Sequence, residues 1–188
     1  MKLAYILFDD VTLLDFIGVY DAVSRLKSMH YLPHLSWDIC AQTPQVKDNF
    51  GLQIQATVIA PSLAGYEAII VPGGYGTRLL QSDKKFIAWL QTTPETALKT
   101  SVCTGSLLLG AAGFLKDKRA TTHYREYDAL KPYCRTVLTD RIVEDGDVIT
   151  AGAVSTSIDL GLFLCRKWAG DAAAAEIQKR MAFTPMGF

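Results

Sequence analysis

An excess of charge of either sign is absent from this 188-residue chain: 19 Lys and Arg balance 19 Asp and Glu, for a formal net charge of zero. Without a basic surplus there is no electrostatic footprint for nucleic acid or an anionic membrane surface. Long apolar runs are absent as well. The first, Leu3 to Phe8, is stopped at once by Asp9 and Asp10, which suits a strand and not a signal peptide. Val102 to Leu115 is broken by Thr, Ser and three Gly, short of the roughly 18 uncharged apolar residues of a membrane span. A cytoplasmic protein is therefore expected. Cysteine is scarce: Cys40, Cys103, Cys134 and Cys165 lie 63, 31 and 31 residues apart with no C-x-x-C pair, which excludes a disulfide framework and a zinc cluster. Neither G-x-G-x-x-G nor G-x-x-x-x-G-K-S/T occurs, which argues against a nucleotide cofactor. The expectation is a small-molecule substrate, with no metal, cofactor, nucleic acid or membrane partner.

What is present is apolar material for one core. At 49% hydrophobic and 20% charged, with 14 Gly and 7 Pro, the chain reads as a single domain over 1–188. Short apolar runs alternate with helical stripes, the pattern of an α/β fold with a mostly parallel sheet and helices on both faces. Strands are expected at Leu3–Phe8, Ser36–Ala41, Leu52–Val58 (alternating, at an edge), Ala68–Val71, Thr100–Val102 and Arg119–Thr122. Ile142 to Ile149 reads as a hairpin turning at Asp145-Gly146. Helices are expected from Leu13 to about Lys27, around Phe86–Leu90, over Leu107–Ala112, within Tyr127–Leu130, over Ser157–Trp168 and from about Ala172 to Met181.

In a doubly wound sheet, ligands bind beyond the carboxyl ends of the strands. That rule selects Asp9, Asp10 and Asp15; Gly73, Gly74 and Tyr75; Cys103 and Thr104; His123 and Tyr124; and Gly152 to Ser155. The strongest signal is Ser101-Val102-Cys103-Thr104-Gly105-Ser106, a nucleophile among small residues between a strand and a helix, the composition of a nucleophile elbow. A helix N-terminus there would favour thiolate; a buried cysteine before a tight turn is the plainer alternative. Cys40 and Cys165 read as inert buried groups, and Cys134 has no base beside it. Asp15, between Leu13-Leu14 and Phe16-Ile17, is expected in an apolar setting that raises its pKa, unless it is simply a carboxylate favoured by the helix N-terminus. Asp21 and Asp159 read as surface or helix-bonding groups, and Asp9 and Asp10 as turn residues. A backbone N–H in Pro72-Gly73-Gly74 could join that of Thr104 around a developing negative charge. His30 and His34 fall in a solvated connection, while His123 could orient substrate, act as a base or be structural.

Leu14-Asp15-Phe16-Ile17-Gly18-Val19-Tyr20-Asp21, Val71-Pro72-Gly73-Gly74, Val102-Cys103-Thr104-Gly105-Ser106, Ala120-Thr121-Thr122-His123-Tyr124, Thr150-Ala151-Gly152-Ala153 and Ile158-Asp159-Leu160 together resemble the DJ-1/PfpI (ThiJ) superfamily. The elbow, its apolar helix and the Thr-Thr-His turn are most similar to the isonitrile-hydrating branch. The resemblance implies a flavodoxin-like three-layer sandwich, related to class I glutamine amidotransferases and assembled as a homodimer. It implies Cys103 as nucleophile, Asp15 as its acidic partner and oxyanion-type N–H groups at Gly74 and Thr104, with Gly73, Tyr75, His123 and Ile17 around the substrate. Two departures stand out: Gly18-Val19 where the family commonly has Gly-Pro, and Gly152-Ala153 where it commonly has Gly-Gly.

The implied activity is addition of water to an isocyanide, a lyase-type hydration giving an N-substituted formamide. Glyoxalase- or deglycase-like action on reactive carbonyls and cysteine-based redox sensing are the alternatives. A small dry cavity at Cys103 would favour an apolar isonitrile, and convergent polar side chains a carbonyl substrate.

Overall fold

The central strands are those whose sequences read as continuous apolar runs. β1 (Lys2–Ile6) is buried from Leu3 onward and β6 (Ala68–Val71) throughout, because helices cover both faces of a parallel sheet. The structure, a computed structural model, describes residues 1–184, so the last four positions of the expected domain 1–188 lie outside the described residues. Along the chain α1 (Leu13–Ser28), β2 (Ser36–Ala41), β3 (Gln45–Lys47), β4 (Gln53–Gln55) and β5 (Val58–Ile59) precede β6. After it come α2 (Thr77–Leu80), α3 (Lys84–Leu90), β7 (Leu98–Val102), α4 (Gly105–Ala111), β8 (Arg119–Ala120), α5 (Tyr127–Leu130) and β9 (Thr136–Val137). β10 (Ile142–Asp145), β11 (Val148–Ala151) and α6 (Thr156–Arg180) complete the described chain.

Seven strands form one sheet in the order β10-β11-β7-β6-β1-β2-β5, parallel at every neighbouring pair except the β10–β11 hairpin. α1 packs along α6, while α4 groups with α2, α3 and α5. This is the mostly parallel flavodoxin-like α/β fold expected from the alternating pattern. After β1 the chain builds outward through β2 to β5, then returns to β1's other side with β6, β7 and β11. The β1–β6 seam is thus the topological switch point, where loops diverge and leave a crevice.

Three expectations are corrected. The alternating stretch Leu52–Val58 is split: β4 pairs only with β3, and just β5 reaches the main sheet, as its edge. Arg119–Thr122 is not a strand of the main sheet, because β8 pairs with β9 in a separate two-stranded sheet. Asp145 pairs with Val148, so the hairpin turn is Gly146-Asp147, with Gly146 supplying a φ of 67°. The two C-terminal helices expected from the sequence are both present within α6 and meet at Gly170, whose φ of 85° and ψ of 172° leave the helical region.

α1 is pinned over β1 by aromatic edges. Phe16 and Tyr20 meet Tyr5 with ring centroids 5.3 and 5.5 Å apart, contacts of about 0.5–1.5 kcal/mol each beyond their buried area. The β3–β4 hairpin folds back towards the same helix. Its turn is held by Asp48 Oδ1, which accepts the Phe50 and Leu52 N–H groups, and Asn49 Nδ2 donates to Thr12 Oγ1 at 3.4 Å. Phe50 and Leu52 are left 92% and 63% exposed beside the start of α1. No helix among the described residues is long and apolar enough to cross a membrane.

Candidate active site

The site begins with a strained residue. Cys103, between β7 and α4, has φ 55°, a left-handed backbone that costs a non-glycine residue of the order of 1 kcal/mol or more. Its neighbours hold it there. The Cys103 N–H donates to the Ala151 and Gly152 carbonyls at 3.0 and 2.8 Å, and the Cys103 carbonyl accepts the hydroxyls of Ser106 and Thr122 at 3.1 and 3.0 Å. Gly105 lets α4 start against the end of β6, since a Cβ there would lie 2.2 Å from the Val71 carbonyl oxygen. The nucleophile elbow expected from the small residues is therefore formed, and its geometry is over-determined.

The loops after β1 and β6 are laced to each other and to the elbow. Thr12 N–H donates to the Gly73 carbonyl at 2.8 Å and Gly76 N–H to the Asp10 carbonyl at 3.2 Å. Gly73 is the meeting point. A Cβ on it would lie 2.8 Å from Asp15 Oδ2, 2.8 Å from Cys103 Cβ and 2.7 Å from the Thr104 nitrogen. Its N–H donates to Asp15 Oδ2 at 2.9 Å, so only a residue without a side chain lets the acid and the elbow approach.

Asp15 is fully buried on the first turn of α1, and its Oδ1 has no hydrogen-bond partner among the described residues. A dry, unpaired carboxylate oxygen is costly, and a proton relieves it. Burial pushes the Asp15 pKa up to about 7, against the opposing pull of the Gly73 N–H and of Cys103. The expected direction holds, but its expected cause is corrected. Leu14 and Ile17 are 45% and 44% exposed, because neighbours one and two positions away on a helix point elsewhere. The burial comes from the Gly73 loop and the elbow. Ile17 accordingly stands outside the pocket.

The thiol is also pushed up. Burial first, and the Asp15 charge second, raise Cys103 to about 12, while the Thr104 N–H and hydroxyl pull it down without winning. The shift runs opposite to the thiolate expected from a helix N-terminus, because burial and the Asp15 charge outweigh the Thr104 donors. Asp15, packed beside Cys103, is a carboxyl whose pKa lies near neutrality.

Cys103 opens onto a pocket of about 310 Å³ that Gly74, Tyr75, Thr104 and His123 also line, as expected from the strand tips, together with Tyr124 and Val154. Asp15 and Gly73 pack against the elbow without lining the pocket. Of the two N–H groups expected to face a developing charge, that of Gly74 is taken by Thr104 Oγ1 at 3.0 Å, whereas that of Thr104 lies at the sulfur. His123 follows the separate β8 strand. Its Nδ1 accepts the Arg125 N–H at 3.2 Å and its ring stacks on Tyr124 at 4.4 Å. Burial, then the charge of Arg125, lower its pKa.

Four pocket residues escaped the sequence reading: Thr12, Arg78, Arg125 and Glu126. Arg78 and Glu126 form an ion pair across the pocket, joining α2 to the turn Tyr124–Glu126. The signal available for Arg125 and Glu126 was their position directly after Thr-Thr-His-Tyr. For Arg78 it was its place one short turn beyond Pro-Gly-Gly.

The remaining acids and thiols have structural partners. Asp9 Oδ1 accepts the Lys47 N–H at 2.9 Å and Asp10 takes a turn conformation with φ 60°. Asp21 pairs with Arg25, and Asp159 with Arg141. Cys40 is buried against the Tyr66 hydroxyl and Cys165 against the Ala22 carbonyl, while Cys134 is half-buried. Among the described residues no three His, Cys, Asp or Glu side chains converge as metal ligands.

Comparison with known proteins adds an independent line. A model of the DJ-1/PfpI family matches residues 1–167. Isonitrile hydratase of Pseudomonas putida is 34% identical over 186 residues, covering 98% of this chain and 79% of that protein. Among solved structures, a THiJ/PfpI family protein from Pseudomonas syringae has a TM-score of 0.89 at 28% identity, covering 99% of this chain and 76% of that one. Drosophila melanogaster DJ-1beta has a TM-score of 0.84 at 18% identity over 98% of both chains, a likeness of fold.

The raised pKa of Asp15 has a consequence for stability. Its contribution is fully present below the unfolded value of 3.8 and is lost as pH rises through about 7. Asp15→Asn keeps an oxygen for the Gly73 N–H and removes that loss. At roughly 1.4 kcal/mol per pH unit, the variant is expected to exceed wild type in stability at pH 8 by up to about 4 kcal/mol, with the gap closing towards pH 4. Thermal melts at the two pH values measure it; a gap independent of pH would mean that Asp15 titrates normally.

Proposed function

The chain belongs to the DJ-1/PfpI family, and from that premise we propose that it hydrates an isonitrile to an N-substituted formamide through Cys103. The observation that carries this reading is the pairing of a buried thiol with a carboxyl that titrates near neutrality. The terminal carbon of an isonitrile must receive both a nucleophile and a proton. Asp15 takes the thiol proton, the sulfur bonds to that carbon, and Asp15 returns the proton to the same carbon, leaving a thioimidate, R–N=CH–S. Water then adds to the carbon while the nitrogen gains a proton. The C–S bond breaks as the carbonyl forms, and the sulfur regains its proton by way of Asp15. The sum is R–N≡C plus H2O giving R–NH–CHO, with no oxidant or reductant.

No oxyanion forms in the first step. That fits a site in which the Gly74 N–H is already bonded to Thr104 Oγ1 and only the Thr104 N–H is left at the sulfur. The polar lining from Arg78, Arg125 and His123 favours a second reading, attack of Cys103 on a reactive carbonyl in a glyoxalase- or deglycase-like reaction. Cyclohexyl isocyanide and methylglyoxal assayed side by side separate the two. Formamide production is expected from wild type, to vanish in Cys103→Ala and to fall at least about a hundredfold in Asp15→Asn. Undiminished formamide production by the Cys103 variant contradicts the mechanism, and consumption of methylglyoxal alone favours the second reading.

We infer in addition that two copies of the chain associate. Phe50 and Leu52 on the hairpin, and Leu14 and Ile17 on α1, expose large apolar side chains around the start of that helix. Sedimentation of the wild-type protein is expected to give a dimer that Phe50→Asp with Leu52→Asp weakens at least tenfold. A wild-type monomer at micromolar concentration would contradict it.

A further inference from the structure

The pocket in front of Cys103 is not neutral. Its lining residues include Arg78 and Arg125 and a single acidic residue, Glu126. Glu126 pairs with Arg78 through one guanidinium nitrogen, Nη2, which leaves the other donors of that fork without a partner among the described residues. Arg125 has no ion pair there at all, its guanidinium resting over the Tyr124 ring at 5.6 Å. Cys103 is buried and Arg125 exposed, so the pocket runs from a reactive end to a cationic mouth. Aliphatic lining is limited to Val154 and the methyl groups of the threonines.

An isonitrile that carries only a hydrocarbon group leaves this mouth unused. A substrate with an acidic group at the end opposite its reactive carbon uses both ends, and a planar carboxylate matches the guanidinium fork in geometry. At about 310 Å³ the pocket is at the small end of ligand sites, which limits the spacer between the two groups to a few atoms. Resting on the isonitrile reading for the reactive end, we propose that the substrate is a small isonitrile bearing a carboxylate, held at the mouth by Arg125 with Arg78 beside it. Glu126 then acts as a positioning residue: it keeps Arg78 folded across the pocket, and its own charge turns away anions too large to sit clear of it.

Isocyanoacetate and its methyl ester differ in the charge and little else, and both are assayed on the full chain as wild type, Arg125→Ala and Arg125→Lys. Wild type is expected to prefer the carboxylate over the ester by about tenfold in kcat/KM. The preference should collapse in Arg125→Ala, survive in part in Arg125→Lys and shrink with added salt. Equal rates for the two compounds, unchanged by Arg125→Ala, would overturn the carboxylate proposal and leave the hydration reading standing. If neither compound is hydrated, the hydration reading fails and binding decides the proposal separately. Calorimetry with N-formylglycine and its methyl ester should still show an Arg125-dependent preference for the acid, and equal affinities would overturn it. Arg125 is exposed, so its variants put no buried packing at risk.

Discussion

The 2.9 Å hydrogen bond from the Gly73 N–H to Asp15 Oδ2 is the contact on which the site depends. It joins the first turn of α1 to the loop after β6, and the same glycine lies against Cys103 and Thr104 at the end of β7. Three elements far apart in sequence are thereby held at one point, at the seam where the strand order reverses. The bond satisfies only one carboxyl oxygen. Burial of the carboxyl outweighs this bond and raises the Asp15 pKa to about 7.

Cys103 answers to the same constraint from the other side. Its left-handed backbone is tolerated because donors and acceptors from β11, α4 and Thr122 fix both its N–H and its carbonyl. The sulfur is thus held where desolvation and the Asp15 charge both oppose its ionisation. In the proposed hydration, a thiol so placed becomes a nucleophile once its neighbour takes the proton. Such an arrangement suits a reaction that needs the proton delivered again one step later.

Much of this was legible in the residues. The continuous apolar runs of β1 and β6 and the 3.6-residue stripe of α1 announced the architecture, and the small residues around Cys103 announced the elbow. Where the sequence reading went astray, a tertiary contact had decided the matter. Leu52–Val58 alternates like one strand, yet Gln53–Gln55 pairs locally with Gln45–Lys47 and only Val58–Ile59 finds the sheet. Leu14 and Ile17 look like the walls around Asp15, but the helix turns them outward and a loop 58 residues away does the burying. The cationic mouth was invisible for a similar reason: Arg78 and Arg125 are ordinary surface arginines until α2 and the turn after His123 face each other across the pocket.

The central claim is that Cys103 rests as a thiol whose ionisation is suppressed by burial and by Asp15. The most direct measurement is the pH dependence of Cys103 alkylation by iodoacetamide, followed at that residue by peptide mass spectrometry in wild type and Asp15→Asn. The account predicts a wild-type rate still climbing past the ordinary thiol value of 9.0, and a profile displaced to lower pH once the carboxylate is gone. A wild-type rate that levels off below neutrality, or a profile unmoved by Asp15→Asn, would contradict it.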